Sequence, residues 1–493
     1  MTRTMSRRDL LKVGAIATGG LLAACAPKVV KETVVVEKVV EKPVEKVVKE
    51  TVIVQGTPQV VEKVVKETVV VEKDVAAEKA ARIKGKLVWD TFRGIGTGWN
   101  EERISTFKDM YPNVDIEFRP TVVSSQQEAY GKWYAMQAAG DLGDIVQFDP
   151  SHFHFWRAID KGILMPLDEL MAADGLNLKE WFDQFIEMQY YKGKIYGLPS
   201  WGWSGHDAFV INVLHCEELG ITPPEPTTHE IPMETIAEWA NKFYKKGAGP
   251  GEVERYGIAL SIAEIGITTI VRAFGGEIIN PEGTKCLLLE EGAVKGMKWM
   301  YDLCVTQAVA ALPGDLQGGN QSAWAAGKLT MMQVGSLSAL NAEKAITDPK
   351  LAQLGHFFFP KRPDGKIPSQ IRGGTWGVNK ATKAPEAAYL FVKHLAGKEG
   401  TIGFNLVGNN GALTRPDVLP VLEAKNKIYG WYKENLLNGM AIHAPANSRG
   451  REYTDAIGQW AVKMLDRKQP VPFEQGLQEL ADNVQKALDE PPA

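Results

Sequence analysis

Hydrophobic and polar positions change their period several times along the chain. Lys86-Leu87-Val88-Trp89 is a short apolar run of strand type, and a helix-like stretch follows at 100–110. Val114-Asp115-Ile116-Glu117-Phe118 alternates in the manner of a second strand, a helical pattern covers 126–139, and Asp144-Ile145-Val146-Gln147-Phe148 is the third strand candidate. This βαβαβ rhythm predicts an α/β fold whose sheet is mostly parallel. In such sheets ligands bind beyond the carboxyl ends of the strands, where the loops gather.

The segment at 26–83 has a different texture. It is built almost wholly from Val, Glu, Lys, Thr and Ala, without an aromatic residue, and the decapeptide Val29-Val30-Lys31-Glu32-Thr33-Val34-Val35-Val36-Glu37-Lys38 recurs unchanged from Val64 to Lys73. The Val-Val-Glu-Lys step suits a helix, whereas doubled β-branched residues favour extension. Pro43 and Gly56-Thr57-Pro58 are expected to interrupt either form. The segment reads as a charge-balanced spacer, not a domain. A partner-binding coiled coil is the alternative, although the repeat is not heptad.

The first 25 residues have a charged start, Ser6-Arg7-Arg8-Asp9-Leu10-Leu11-Lys12, then a Gly- and Ala-rich apolar run from Val13 to Ala24. That run is too short to span a bilayer, which takes about 20 apolar residues. The paired arginines resemble the twin-arginine export motif; an ordinary secretory leader containing Arg-Arg is the alternative. Leu22-Ala23-Ala24-Cys25 resembles the lipobox of bacterial lipoproteins, which implies that Cys25 is acylated as a lipid anchor at the outer face of the cell membrane, periplasmic or cell-surface. An exported location permits disulfides, but Cys216, Cys286 and Cys304 are odd in number and lack metal-ligand spacing, so no bridge is assigned.

Formal charge and composition then narrow the body, residues 84–493. A net charge of -4 leaves no basic excess for a phosphate backbone, so nucleic acid is not an expected partner. Gly94-Ile95-Gly96-Thr97-Gly98 lacks the Gly-x-Gly-x-x-Gly spacing of a dinucleotide site, and Gly202-Trp203-Ser204-Gly205 lacks the last x-Gly of a nucleophile elbow. His152-Phe153-His154 has neither a His-Glu-x-x-His partner nor an Asp-rich loop beside it, and no metal or cofactor is expected.

Phe107-Lys108-Asp109-Met110-Tyr111-Pro112-Asn113-Val114, Gly140-Asp141-Leu142-Gly143-Asp144-Ile145-Val146, and Lys192-Gly193-Lys194-Ile195-Tyr196-Gly197-Leu198-Pro199, taken in order, resemble segments of the bacterial extracellular solute-binding proteins of ABC sugar importers, the group of maltose-binding protein. Val210-Ile211-Asn212 with Glu218-Leu219-Gly220-Ile221, Ala325-Ala326-Gly327-Lys328-Leu329-Thr330-Met331-Met332, and Gly373-Gly374-Thr375-Trp376-Gly377-Val378 before a helix at 385–397 complete the series. Gly143 replaces the usual proline of the second segment and Thr330 the usual alanine of the fifth.

The resemblance implies two α/β lobes joined by crossing strands, with lobe 1 at 84–203 plus 374–408 and lobe 2 at 204–373 plus 409–493. It implies a monomeric, non-enzymatic binder that closes on a small polar ligand and docks on membrane permease and ATPase subunits. The ligand expected is a neutral saccharide, because flat aromatic faces suit sugar C–H faces while Asp, Asn and Arg fork onto hydroxyls. By loop position the resemblance places Arg93, Asp149, His152, Trp201, Trp203, Asp207, Ser336, Trp376, Arg449 and Tyr453 at the cleft. A lipid-anchored secreted glycosidase is the alternative, since two carboxylates need spatial proximity but no fixed sequence spacing.

Overall fold

The computed structural model describes residues 40–54, 57–71, 75–92, 98–407, 413–443 and 445–492. The chain divides into two units, Met1–Glu78 and Lys79–Ala493. Within the first, β1 (Val40–Val54) and β2 (Thr57–Val71) form an antiparallel pair in unbroken register from Val54↔Thr57 to Val40↔Val71. The doubled valines therefore settle as extended backbone. Contrary to the sequence expectation, Pro43 does not interrupt its strand and Pro58 lies within the next one. In a two-stranded ribbon every residue lies on an edge, the one place in a sheet where proline is tolerated.

The second unit is the α/β body. Its strands include β3 (Gly85–Thr91), β4 (Val114–Pro120), β5 (Ile145–Val146), β6 (Gly197–Gly205), β7 (Ala208–Asn212), β8 (Val253–Ala259), β9 (Leu329–Val334), β10 (Leu354–Phe358), β11 (Gln370–Val378) and β12 (Met440–Ala441). One sheet runs β12-β11-β5-β3-β4, with β6 also paired to β11. The other contains β8-β9-β7-β10. β3 is parallel to β4 and β5, as the opening rhythm predicts, and helices Trp99–Met110 and Gln126–Ala138 fall where the pattern put them. The third strand is only Ile145–Val146, and just before it the Asp144 carboxylate takes the Val88 backbone N–H at 2.8 Å.

Burial explains the sequence texture of the second sheet. β7 and β9 are buried at every position, so they read as continuous apolar runs instead of alternating. Phe209, Ile211, Ile258, Met331 and Phe357 lie in one core, while Leu87, Trp89, Trp99, Trp376 and Phe391 fill another beside the first sheet.

The two sheets are joined where β6 leaves the first through Gly205, His206 and Asp207 and becomes β7 of the second. β11 makes the return crossing, and the two crossing strands are antiparallel neighbours from Gly205↔Gln370 to Gly197↔Gly377. The register shifts between Gly373 and Thr375, so that Ser200 and Trp201 of β6 form a bulge opposite the single Gly374 of β11. This crossing brings together the loops that follow β5, β8 and β9.

Candidate functional site

The bulge has a definite cause. A Cβ on Gly374 would stand 2.1 Å from Trp201 Nε1 and 2.3 Å from Asp149 Oδ1, so only glycine lets the indole and carboxylate meet over the crossing strand. Trp201 Nε1 donates to Asp149 Oδ2 at 3.0 Å, and the Thr375 N–H reaches Asp149 Oδ1 at 3.3 Å. Asp149 and Trp201 are both buried. They form a floor, on which Trp203 lies nearly parallel to Trp201 at 6.5 Å.

Trp203 is half-buried, packed on one side against the core beside the first sheet. The His206 ring stands 5.9 Å away, carried on a residue with φ of 49°. Gln333 of β9 secures that turn by donating to the His206 carbonyl at 2.8 Å and accepting from the Ser261 N–H at 2.9 Å. Gly335 packs so closely that a Cβ there would lie 2.7 Å from both Trp203 Cζ3 and the Ser204 carbonyl. Ser336, next in sequence, begins helix Ser336–Lys344.

Two buried polar atoms beside Trp203 lack a partner in the protein: His206 Nδ1 and Ser336 Oγ. Leaving such a group unpaired costs about 1–3 kcal/mol, and a bound molecule that supplies the partners recovers it. Burial, followed by the nearby charge of Arg372, pushes the His206 pKa down to about 4. The imidazole is therefore neutral at ordinary pH, with one nitrogen able to donate and the other to accept.

The junction at Trp203, the candidate ligand crevice, has a buried charged pair beside it. Arg372, in register opposite Trp203, pairs with Glu264 at the start of helix Glu264–Ala273. Its Nε donates to Gln370 Oε1 at 2.6 Å and a terminal nitrogen donates to the Ser151 carbonyl at 2.9 Å. Glu264 Oε1 accepts from Thr268 at 2.8 Å, Gln370 at 3.3 Å and the Tyr453 hydroxyl at 3.5 Å. Burial and then the Glu264 charge hold the Tyr453 pKa well above the ordinary phenol value, so that hydroxyl stays a donor. Phe153, with φ of 61°, packs edge-on to Tyr453 at 5.9 Å and lies 5.8 Å from the Arg372 guanidinium.

Of the residues that the sequence singled out, Trp203 and Ser336 line this crevice, Tyr453 bonds to the charged pair beside it, and Asp149 and Trp201 support it from beneath. Three belong elsewhere. Trp376 is wholly buried, with its ring centroid 5.7 Å from that of Trp89 and 6.2 Å from that of Trp99, because on β11 it occupies the core-facing position next to Thr375. Asp207 is buried beneath the crossing, accepting from Ser204 and from Asn435 Nδ2 at 2.6 Å, and burial raises its pKa. Arg449 is committed to the C-terminal segment, pairing with Glu490 at 3.0 Å and donating to the Pro491 carbonyl at 2.6 Å. Arg93, the His152 side chain and Cys25 lie outside the described residues. Cys216, Cys286 and Cys304 are free thiols.

His206, Glu264, Gln333 and Arg372 were missed. His206 sits inside the Trp-rich run that drew attention to Trp203, and strand alternation carried past Trp203 would have marked it as leaving the sheet. Arg372 directly precedes Gly373-Gly374, but its register opposite Trp203 needs the strand pairing. Glu264 and Gln333 carry no local signal.

Two sheets joined by crossing strands, with an aromatic face and unpaired polar atoms at the junction, are the architecture of two-lobed ligand-binding proteins. The pattern of the bacterial extracellular solute-binding proteins matches residues 102–411, well over half of the chain, and the protein belongs to that family.

Solved structures agree on the fold. UgpB from Mycobacterium tuberculosis, determined in complex with glycerophosphocholine, is 16% identical, with 82% of this chain and 99% of that one covered at a TM-score of 0.68. The GacH receptor of Streptomyces glaucescens, determined unliganded and with acarbose, is 17% identical, with 83% and 100% covered at 0.64. An ABC transporter solute-binding protein from Thermotoga lettingae bound with alpha-D-tagatose is 19% identical, with 82% and 100% covered at 0.62.

Proposed function

We propose that this protein captures a small neutral carbohydrate outside the cell and delivers it to the permease and ATPase subunits of an ABC importer, acting by binding without catalysis. The observation that carries the reading is the Trp203 face with His206 Nδ1 and Ser336 Oγ unpaired beside it: a platform for sugar C–H bonds next to groups that need hydroxyl partners. The carbohydrates in complex with GacH and with the Thermotoga lettingae protein support that ligand class. On this reading the monomeric body has lobes at 84–203 plus 374–408 and at 204–373 plus 409–493, which close over the ligand.

The N-terminal sequence supports twin-arginine export, acylation of Cys25 and a spacer that carries the body away from the outer face of the membrane. Cys25→Ser is expected to release the protein into the medium and abolish incorporation of labelled palmitate. Retention of the label would remove the anchor.

The ligand reading is tested by a thermal-shift screen of the purified protein against neutral sugars, polyols, sugar phosphates, amino acids and short peptides. A ligand specific for the folded state at a hundredfold excess over Kd adds about 2.7 kcal/mol of stability. A shift with a neutral sugar that is recovered chemically unchanged is the expected result. Conversion of the sugar to product indicates a glycosidase, and response only to peptides or amino acids overturns the ligand class.

A further inference from the structure

We infer that Glu264 is a specificity-determining residue: by engaging Arg372 it cancels the cation beside the crevice, so that the site accepts uncharged polyhydroxylated ligands and turns away those bearing phosphate or carboxylate. The inference rests on reading the Trp203 crevice as the ligand site.

An arginine placed beside an aromatic platform would ordinarily favour anions, because its planar fork matches carboxylate and phosphate oxygens. Arg372 has that position. It is in register opposite Trp203, its guanidinium lies against Phe153, and its charge is felt at His206. Its donors, however, are directed to Glu264, Gln370 and Ser151.

Glu264 is held in turn by Thr268, Gln370 and Tyr453, and both members of the pair are 7% exposed. An anionic ligand would have to take Arg372 from Glu264, which holds one terminal nitrogen while Gln370 and Ser151 hold the other donors, and then leave that carboxylate buried without its counter-charge, a strongly unfavourable exchange. A neutral sugar leaves the pair intact and meets His206 and Ser336 instead. Arg449, the other arginine expected at the cleft among the described residues, is neutralised by Glu490.

Glu264→Gln preserves shape and an acceptor for Thr268 while removing the charge that occupies Arg372. Calorimetric titrations would compare wild type, Glu264→Gln and the double variant Glu264→Gln/Arg372→Gln, using glucose, maltose, inorganic phosphate and glucose 6-phosphate as probes, with folding checked by circular dichroism. The single variant is expected to gain at least about tenfold in affinity for phosphate or glucose 6-phosphate, as charge pairs in partly desolvated sites do. Added salt should diminish that gain, and the double variant should lack it.

A folded Glu264→Gln protein with no gain for either anion overturns the inference. The wild-type protein gives an independent reading: binding glucose 6-phosphate as tightly as glucose overturns it, and a preference of about tenfold or more for the neutral sugar supports it. If neutral sugars bind no form of the protein while Glu264→Gln still gains phosphate affinity, the guarding role of Glu264 stands and the sugar reading fails.

Discussion

Trp201 Nε1 donates to Asp149 Oδ2 at 3.0 Å directly above Gly374, whose missing side chain makes room for both. The contact fixes the tilt of Trp201 and, through the near-parallel stack, that of Trp203. Gly374→Ala would place a methyl within 2.3 Å of both partners. Overpacking of this kind costs about 1–3 kcal/mol. Urea denaturation should show that loss, together with weaker ligand binding as the Trp203 platform shifts.

Trp376 and Trp203 are separated by only four positions of strand pairing but have different roles. Trp376 lies in the aromatic core with Trp89, Trp99 and Phe404. Trp376→Ala is expected to cost about 3–5 kcal/mol of stability, the usual range for a large buried aromatic. A loss below 1 kcal/mol by chemical denaturation would place the side chain outside the core.

Ser336→Ala should move stability and affinity in opposite directions. The hydroxyl is buried without a partner, so removing it relieves a desolvation penalty, and the free protein should melt at the same temperature or slightly higher. Affinity for the ligand should fall by the worth of one hydrogen bond, about three- to tenfold. Unchanged affinity would take Ser336 out of the site.

Stability should decline as pH falls below the ordinary histidine range. Burial lowers the pKa of His206, His215, His356 and His394 to about 4, and that of His154 to about 3. Between the unfolded value near 6.5 and those folded values, the unfolded chain binds more protons. Stability is therefore full above about pH 6.5 and lost progressively toward pH 4. His356 is wholly buried, bonded to the Pro226 carbonyl at 2.5 Å and to the Tyr432 hydroxyl at 3.0 Å. Its share is on the order of 1–3 kcal/mol. Melting temperatures of wild type and His356→Gln across pH 4–8 should converge at the acid end.

Local periodicity was enough for the opening βαβ unit, since 86–89, 100–110, 114–118 and 126–139 each carry their own pattern and need no distant partner. The crossing was legible only through Trp201-Gly202-Trp203 and Gly373-Gly374, where glycines mark close backbone approach. The charged pair was not legible: Glu264 meets Arg372 across 108 residues, and no short window contains both. Trp376 illustrates the reverse error. Its place after two glycines suggested a loop, but β11 continues past them, and pairing of Trp376 with Leu198 of β6 puts the ring in the core.

The most direct test of the central claim is a calorimetric titration of wild type and Trp203→Ala with the neutral sugar that gives the largest thermal shift. The account predicts tight one-to-one binding to wild type, at least about tenfold weaker binding to a variant shown folded by circular dichroism, as expected for an aromatic anchor, and sugar recovered intact. Equal affinity in the two proteins, or consumption of the sugar, would contradict it.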